Sequence, residues 1–199
     1  MSYKRVVAAV FAMNLIGERA TTRSLAKRLE DDTDEVKRNV DELTKRKLAR
    51  IVDGGVMLTP KGRGTIKVVF VGGGFEVIHF GHVYTLHKAK SLGDVLVVTV
   101  ARDSTIRRRK NRDPLTGEQE RVRLLSALKD VDVAILGVEG DIYVTLEKVR
   151  PDIVALGYDQ YHLEEDIDRE SRRRGMKVEV VRLDSPYPRL KTTGILKEL

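Results

Sequence analysis

Apolar residues in the last two thirds of the chain gather in short unbroken runs, and segments with helical spacing separate these runs. The runs are predicted to be buried β-strands at 66–71, 94–101, 131–136, 152–156 and 178–183. Helical spacing predicts helices at 118–128, 143–149 and 164–174. Strands that are apolar throughout belong to parallel sheets covered on both faces. The alternation therefore predicts an α/β fold with a Rossmann-like, doubly wound parallel sheet.

The front of the chain follows another pattern, in which helical spacing comes first and two short strands come afterwards. Apolar residues three and four apart predict three helices, with the pair Thr21-Thr22 offering the N-cap of the second. Short apolar runs on either side of Gly54 and Gly55 predict a β-hairpin. The change of pattern divides the chain into two predicted domains, residues 1–65 and residues 66–199.

Three helices followed by a hairpin resemble a winged helix-turn-helix domain. The run LTPKGR at residues 58–63 resembles the end of the wing in many bacterial and archaeal regulators. In that family the third helix contacts the major groove of DNA. Here the outward side chains of that helix carry both positive and negative charges. Asp34 and Glu35 at its start are unfavourable beside phosphates. Two hypotheses stay open: binding of double-stranded DNA, and a module for dimerisation or for covering substrate.

The chain is basic, and most of the excess charge lies in the predicted first domain. The sequence has 37 basic and 30 acidic residues, a formal net charge of +7, and residues 1–65 hold 14 of the basic and 9 of the acidic ones. A positive field favours polyanionic partners, whether phosphorylated substrates or nucleic acid.

Composition excludes several classes of protein. No apolar run approaches the ~20 residues that a membrane-spanning helix needs, and the sequence does not begin like a signal peptide. We therefore expect a cytoplasmic protein with no membrane partner. The lack of cysteine excludes disulfides and thiolate chemistry. Charged residues at 34% favour a thermophilic source.

The chemistry is concentrated in the sequence GGGFEVIHFGH at residues 72–82, which follows the first predicted strand of the second domain. Leu86 and Ala89 come after it at helical spacing. The stretch is therefore predicted to be a glycine-rich turn that enters a helix. Such a turn directs backbone N–H groups and the positive end of a helix dipole at one volume, which suits a phosphate.

Two histidines lie at the start of this predicted helix. His79 and His82 are three residues apart and share one helical face, and Gly81 leaves room for a ligand to approach the backbone. Imidazoles beside backbone donors suit the stabilisation of charge on a phosphoryl group. Half of a zinc site and a pair of structural histidines are the alternatives. No metal ligands are assigned, because the chain lacks cysteine and His87 and His162 show no ligand spacing.

The sequence GGFEVIHFGH at residues 73–82 resembles the G-T-F-D-x-x-H-x-G-H signature of the cytidylyltransferase-like nucleotidyltransferases. Gly74 stands where the family has Thr, and Glu76 stands where it has Asp. The resemblance implies catalytic roles for His79 and His82. The nucleotide-binding residues that it implies in this stretch are Gly73, Gly74, Phe75, His79 and His82.

Three later segments extend the resemblance. AKSLGD at 89–94 resembles the A-K-x-L-G-D that continues the signature, and KNRDPLTGEQER at 110–121 resembles a region of archaeal FAD synthases. GYDQ at 157–160 resembles the turn that meets the nucleobase; a simple strand-to-helix turn is the alternative. The resemblance implies that Lys90 and Arg121 neutralise charge on the acceptor or the leaving group. It implies nucleotide contacts from Gly157 and Asp159.

The sequence KTTGI at residues 191–195 resembles the S-T-T-x-I element of the family's second signature. This implies that Lys191, Thr192 and Thr193 bind the triphosphate, although an ordinary capped terminal helix is the alternative. Cytidylyltransferases carry R-T-x-G-I at a place where this chain has YPRL, at residues 187–190. The difference favours ATP over CTP.

Basic residues cluster after the predicted strand at 94–101, on the side of the sheet where ligands bind. They are Arg102, Arg107, Arg108, Arg109, Lys110 and Arg112. Because the segment shows no apolar periodicity, it is predicted to be a mobile loop that closes over substrate and contacts phosphate. A solvated charged face is the alternative.

The resemblance is greatest to archaeal FAD synthases, which implies that ATP and FMN react to give FAD and pyrophosphate, with Mg²⁺. A glycerol-3-phosphate-type cytidylyltransferase is the alternative enzyme. The alternative of another class is a DNA-binding transcription regulator whose second domain senses a ligand. A homodimer is expected, as is general for both kinds of domain.

Overall fold

The computed structural model describes residues 2–188 and Gly194. The chain divides into two compact units, residues 1–67 and residues 68–199. Within the described part of the chain, no helix combines the length and the apolar character needed to cross a membrane.

The first unit contains the three helices and the hairpin that the hydrophobic pattern predicts. Its elements are α1 (Tyr3–Leu15), α2 (Thr22–Leu29), α3 (Thr33–Lys45), β1 (Ala49–Val52), β2 (Gly55–Leu58) and α4 (Pro60–Arg63). The predicted N-cap is confirmed at Thr21, whose hydroxyl accepts a hydrogen bond from the backbone N–H of Ser24 and whose own backbone N–H donates to the Ser24 hydroxyl. Val6, Leu25 and Leu43, one from each long helix, are fully buried. The winged-helix interpretation of this unit stays a prediction.

The second unit is a five-stranded parallel sheet with helices between its strands. Its elements are β3 (Val68–Gly73), α5 (Phe80–Lys90), β4 (Val95–Val100), α6 (Asp103–Lys110), α7 (Glu118–Ser126), β5 (Val133–Leu136), α8 (Ile142–Val149), β6 (Ile153–Leu156), α9 (Glu164–Arg173) and β7 (Glu179–Arg182). The strand order is β5-β4-β3-β6-β7, and all pairs are parallel. The predicted α/β fold is confirmed. The winding reverses between β3 and β6, where such sheets bind ligands.

The two faces of the sheet are covered by different helices. On one face, Leu86 of α5 and Leu125 of α7 pack with Val71 and Val98 in one buried cluster. On the other face, a Cβ placed on Gly72 would lie 3.8 Å from Ile142 of α8. Cover on both faces explains why every residue of β4 is buried.

The basic segment after β4 is a helix, so its prediction as a mobile loop is wrong. Asp103 lies in the first turn of α6 and four basic residues lie in the last turn. Both placements stabilise the helix, because each charge is opposite in sign to the nearby end of the helix dipole. The backbone N–H of Asp103 donates to Glu118 at 2.9 Å. Ile106 is buried. One buried apolar side chain is enough to anchor a two-turn helix. A single apolar residue, however, produces no repeat at helical spacing in the sequence.

Gly62 and Gly64 form a matched pair for a test of the packing in the first unit. A Cβ on Gly62 would lie 1.8 Å from the carbonyl oxygen of Leu48, whereas the nearest atoms to a Cβ on Gly64 are at 3.5 Å. Gly62→Ala should destabilise the protein by roughly 1–3 kcal/mol, because the backbone must move. Gly64→Ala should stabilise it by about 0.4–1 kcal/mol, since its φ of −69° suits alanine. Urea unfolding of the full chain measures both, and equal effects would contradict the packing described.

Candidate active site

The end of β3 and the start of α5 enclose a cavity of about 230 Å³. The chain runs from strand to turn to helix here, as the sequence predicts. The cavity lies against the α5 side of the sheet, where it is lined by Val71 and Leu86. All of Gly73, Gly74, Phe75, His79, His82, Gly157 and Asp159 line it. The structure therefore brings together every predicted nucleotide-binding residue that it describes. Lys191, Thr192 and Thr193 lie outside the described residues.

The two histidines form a stacked pair. The ring centroids of His79 and His82 lie 3.9 Å apart, with 30° between the ring planes. Burial and, to a smaller extent, the neighbouring His79 lower the pKa of His82 to about 4, against the opposing charge of Asp159. Burial also lowers the pKa of His79. Both imidazoles are therefore neutral near pH 7 before an anion binds, and each carries one N–H group. The ring of His82 is hydrogen-bonded to the backbone of Val77 and its Nδ1 has no partner among the described residues, so protonation of Nδ1 as an anion binds would give His82 a second N–H group to donate.

The phosphate-binding turn depends on a glycine at position 73. A Cβ there would lie 2.8 Å from the ring of Phe75, which real side chains do not tolerate. Phe75 has a φ of +51° and is buried, and its ring centroid lies 5.3 Å from that of His82. A left-handed φ at a bulky residue costs free energy and persists only where the surroundings enforce it. Phe75 therefore shapes the turn and supports His82 by packing.

Glu76 connects the turn to the end of α6 and the residues that follow it. Its carboxylate has no exposed surface. It accepts hydrogen bonds from Lys110, from Arg112 at 2.7 Å and 3.1 Å, and from the backbone of Leu115 at 3.3 Å. Burial alone raises the pKa of Glu76, but the hydrogen bonds from Arg112 and Lys110 outweigh it and lower the pKa to about 2. The carboxylate thus holds Lys110 beside the cavity, of which Lys110 forms part of the wall.

Arg121 does not line this cavity, which corrects its expected contact with substrate. Its side chain is fully buried. It donates to the carbonyl oxygens of Gly74 at 2.5 Å, Ala101 at 2.9 Å and Thr116 at 3.0 Å, and to Asp103 at 2.5 Å. With these partners the guanidinium is a structural group that fixes the phosphate-binding turn.

Lys90 also lies away from the site, and its expected catalytic role is corrected too. Its ammonium group donates to the carbonyl oxygen of Asp94 at 2.7 Å and to Asp132 at 2.6 Å. Both acceptors directly precede strands of the sheet, so they lie at its amino end. Eight residues of helix, about 12 Å, separate Lys90 from His82. Lys90 therefore stabilises the end of α5 opposite to the histidines.

Residues 157–162 form the wall of the site beyond β6. Gln160 accepts from the backbone of Gly157 at 3.2 Å and donates to the carbonyl oxygen of Gly72 at 2.5 Å. Arg182 of β7 donates to three carbonyl oxygens of the segment, those of Gly157, Gln160 and His162. The segment is therefore fixed to the sheet, and it holds Asp159 at the cavity.

A second cavity, of about 400 Å³, adjoins the first. It lies against the α8 side of the sheet, where it is lined by Phe70 and Ile142. The residues that line both cavities are Gly73, Gly74, Lys110, Asp159 and Gln160. Sequence analysis did not predict this cavity. A signal was present in Gly72 and Gly137, which lie at the ends of β3 and β5, on either side of β4, and place no side chain there.

The pKa of His82 predicts how stability depends on pH. The unfolded imidazole binds a proton below about pH 6.5, whereas the folded one resists protonation down to about pH 4. Below pH 6.5 the unfolded chain binds a proton that the folded one does not, so the free energy of unfolding falls. The loss begins near pH 6.5 and reaches roughly 3 kcal/mol at pH 4. Urea unfolding at pH 7.5 and pH 4 should show this loss in the wild type and not in His82→Gln. An identical pH dependence in both proteins would contradict the burial of His82.

The model of the cytidylyltransferase-like family matches residues 70–198. A relative named FAD synthase, from Aciduliprofundum boonei, is 51% identical over 115 residues, which cover 58% of this chain and 76% of the relative. Another FAD synthase, from Pyrococcus abyssi, is 41% identical over 141 residues, which cover 69% and 95%.

Two solved structures share the fold. The lipopolysaccharide core biosynthesis protein from Thermoplasma volcanium is 43% identical with a TM-score of 0.58, over 60% of this chain and 98% of that one. A protein with unknown function from Archaeoglobus fulgidus is 19% identical with a TM-score of 0.51, over 63% and 94%. The first likeness extends to sequence, and the second concerns the fold alone. Since the family model matches more than half of its residues, the chain belongs to the cytidylyltransferase-like family of nucleotidyltransferases.

Proposed function

We propose that this protein is an FAD synthase, which transfers AMP from ATP to FMN and releases pyrophosphate. The observation that carries the proposal is the junction of the two cavities, which share Gly73, Gly74 and Lys110. A nucleotide in the first cavity and a phosphorylated acceptor in the second would bring their phosphates together there. The archaeal relatives named FAD synthase support this choice of substrates.

The reaction is a displacement at the α-phosphorus of ATP. An oxygen of the FMN phosphate attacks this phosphorus and forms the new P–O bond. The bond from the α-phosphorus to the bridging oxygen of the β-phosphate breaks, and pyrophosphate leaves with the electron pair. In such a reaction the protein contributes positioning and neutralisation of charge.

The described residues supply both contributions. His79 and His82 donate N–H groups to the α-phosphoryl oxygens, and their depressed pKa values leave them neutral until the anion arrives. Gly73 and Gly74 allow the triphosphate to approach the backbone. Lys110 places a positive charge where the two phosphates meet. Asp159 lines both cavities and its charge acts on His79 and His82, so in this arrangement it borders the junction where the phosphates meet.

The remaining nucleotide contacts of the proposal fall on residues outside the described part of the chain. Lys191, Thr192 and Thr193 would bind the β- and γ-phosphates, as the family's second signature implies. Between residues 2 and 188, no group of three or more His, Cys, Asp or Glu side chains is arranged to hold a metal ion. No protein site for Mg²⁺ is therefore assigned, and Mg²⁺ enters the proposal as the partner of the triphosphate.

The size of the second cavity favours FMN over glycerol 3-phosphate. Its volume of about 400 Å³ is within the range of pockets that enclose a drug-sized ligand. Glycerol 3-phosphate has three carbon atoms and would leave most of this volume unfilled. DNA binding by residues 1–65, a homodimer, a cytoplasmic location and a thermophilic source stay predictions.

Replacement of His82 tests the chemistry of the first cavity. His82→Ala should lower kcat for FAD formation by about 10²–10³-fold, the usual cost of losing one donor to a transition-state oxyanion. Release of pyrophosphate with ATP and FMN measures the rate. Wild-type turnover in this variant would contradict the mechanism.

Replacement of Lys90 is the matched test of a structural residue on the same helix. Lys90→Met should leave kcat unchanged and lower the midpoint of thermal unfolding, because Asp132 and the carbonyl oxygen of Asp94 both lose the bond from the Lys90 ammonium group. The same pyrophosphate assay and a thermal melt by circular dichroism measure the two effects. A large fall in kcat with an unchanged midpoint of thermal unfolding would instead show that Lys90 acts in catalysis.

Crossing ATP and CTP with FMN and glycerol 3-phosphate tests the substrates. The proposal expects pyrophosphate from ATP and FMN alone. Release from CTP with glycerol 3-phosphate would instead identify a cytidylyltransferase. If no pair reacted, including at elevated temperature, the proposal would fail in favour of a ligand-sensing regulator.

A further inference from the structure

An exposed tyrosine lies at the edge of the second cavity. Tyr161 is 60% exposed, and it lines the cavity together with His162 and Arg109. The guanidinium carbon of Arg109 lies 4.2 Å from the centroid of the Tyr161 ring. The rings of Tyr161 and His162 are 4.0 Å apart, with 38° between their planes. The guanidinium and the imidazole therefore both pack against the tyrosine ring, and more than half of the surface of Tyr161 remains open to solvent.

The backbone on both sides of this tyrosine is fixed. Arg182 donates to the carbonyl oxygen of Gln160 at 3.0 Å and to that of His162 at 2.6 Å. The same guanidinium binds both carboxylate oxygens of Glu164, at 2.5 Å and 2.8 Å. A ring that is held in place loses little entropy when a ligand stacks on it. Tyr161 is therefore arranged in advance as a stacking surface.

The interior of the cavity suits a flat apolar body. Phe70, Val154 and Leu156 line it, and Gly72 contributes no side chain. A Cβ on Gly137 would lie 3.2 Å from the methyl group of Thr99, so an alanine there would narrow the cavity. A slot with apolar walls and an aromatic edge favours a planar ring over a flexible polar chain.

Helix α6 contributes adjacent residues to the Tyr161 ring and to the junction of the two cavities. Arg109 contacts Tyr161, and the next residue, Lys110, lies at the junction with the nucleotide cavity. An acceptor with a ring at one end and a phosphate at the other matches these two positions. We propose that Tyr161 binds the planar ring of the acceptor by stacking and thereby selects a flavin phosphate; this inference rests on the proposed function.

The test measures binding of FMN to the full-length protein without ATP, from the change in flavin fluorescence. Tyr161→Leu should raise the Kd for FMN about tenfold or more, the change that the loss of one aromatic stacking contact produces. Tyr161→Phe keeps the ring and should stay within about threefold of wild type. The KM for ATP should be unchanged in both variants.

Tyr3→Leu provides the matched control. Tyr3 is also exposed, and Arg46 lies 5.9 Å from its ring centroid, but it belongs to the first unit. This variant should bind FMN like wild type. A wild-type protein that makes FAD, with the same Kd for FMN in Tyr161→Leu, would overturn the inference and leave the proposed function standing.

Other outcomes are equally decisive. Equal losses in Tyr161→Phe and Tyr161→Leu would show that the hydroxyl matters and not the ring, which would overturn stacking. A wild-type protein that neither binds FMN nor makes FAD would overturn the proposed function and the inference together.

Discussion

The burial of one charged group, the Arg121 guanidinium, constrains the whole active end of the sheet. An ionised side chain without surface exposure is tolerated only if its N–H groups are bonded. Its partners come from the turn after β3, the end of β4, the start of α6 and the segment before α7. Removing the guanidinium would leave several carbonyl groups unsatisfied, at about 1–3 kcal/mol each. The position of Gly74 in the phosphate-binding turn thus follows from a requirement of the core.

Charged groups hold the other walls of the site in the same way. Glu76 connects the turn to Lys110, and Arg182 fixes the segment that carries Asp159 and Tyr161. Arg121 and Arg182 act in this way without lining either cavity, whereas Lys110 is held by Glu76 and also forms part of the cavity wall. A site that binds polyanions gains from this arrangement, because its walls are in place before the charge of the ligand arrives.

The sequence predicted what local patterns determine. The strands, the N-cap at Thr21 and the glycine-rich turn with its two histidines follow from spacing and residue type, and the structure has them. Arg121 and Lys90 were misassigned, because a motif gives a residue's identity and only the fold gives its partners. The contact of Tyr161 with Arg109 joins residues 52 positions apart, and no period in the sequence reports it. Helix α6 was missed for the related reason that its anchors, Glu118 and the buried Ile106, act through tertiary contacts.

The positions of Arg109 and Lys110 on α6 limit how proteins of this fold could evolve to use other acceptors. Adjacent residues of this two-turn helix face two different parts of the site, Arg109 towards the ring of Tyr161 and Lys110 towards the junction of the two cavities. Adding or deleting one residue rotates everything beyond it by about 100°. An insertion here would therefore alter the choice of acceptor and the chemistry at once. If the acceptor ring binds at Tyr161 as proposed, a substitution at position 109 would change the acceptor end of the site and leave Lys110 in place, so evolution towards a new acceptor is expected to proceed by replacement within a helix of constant length.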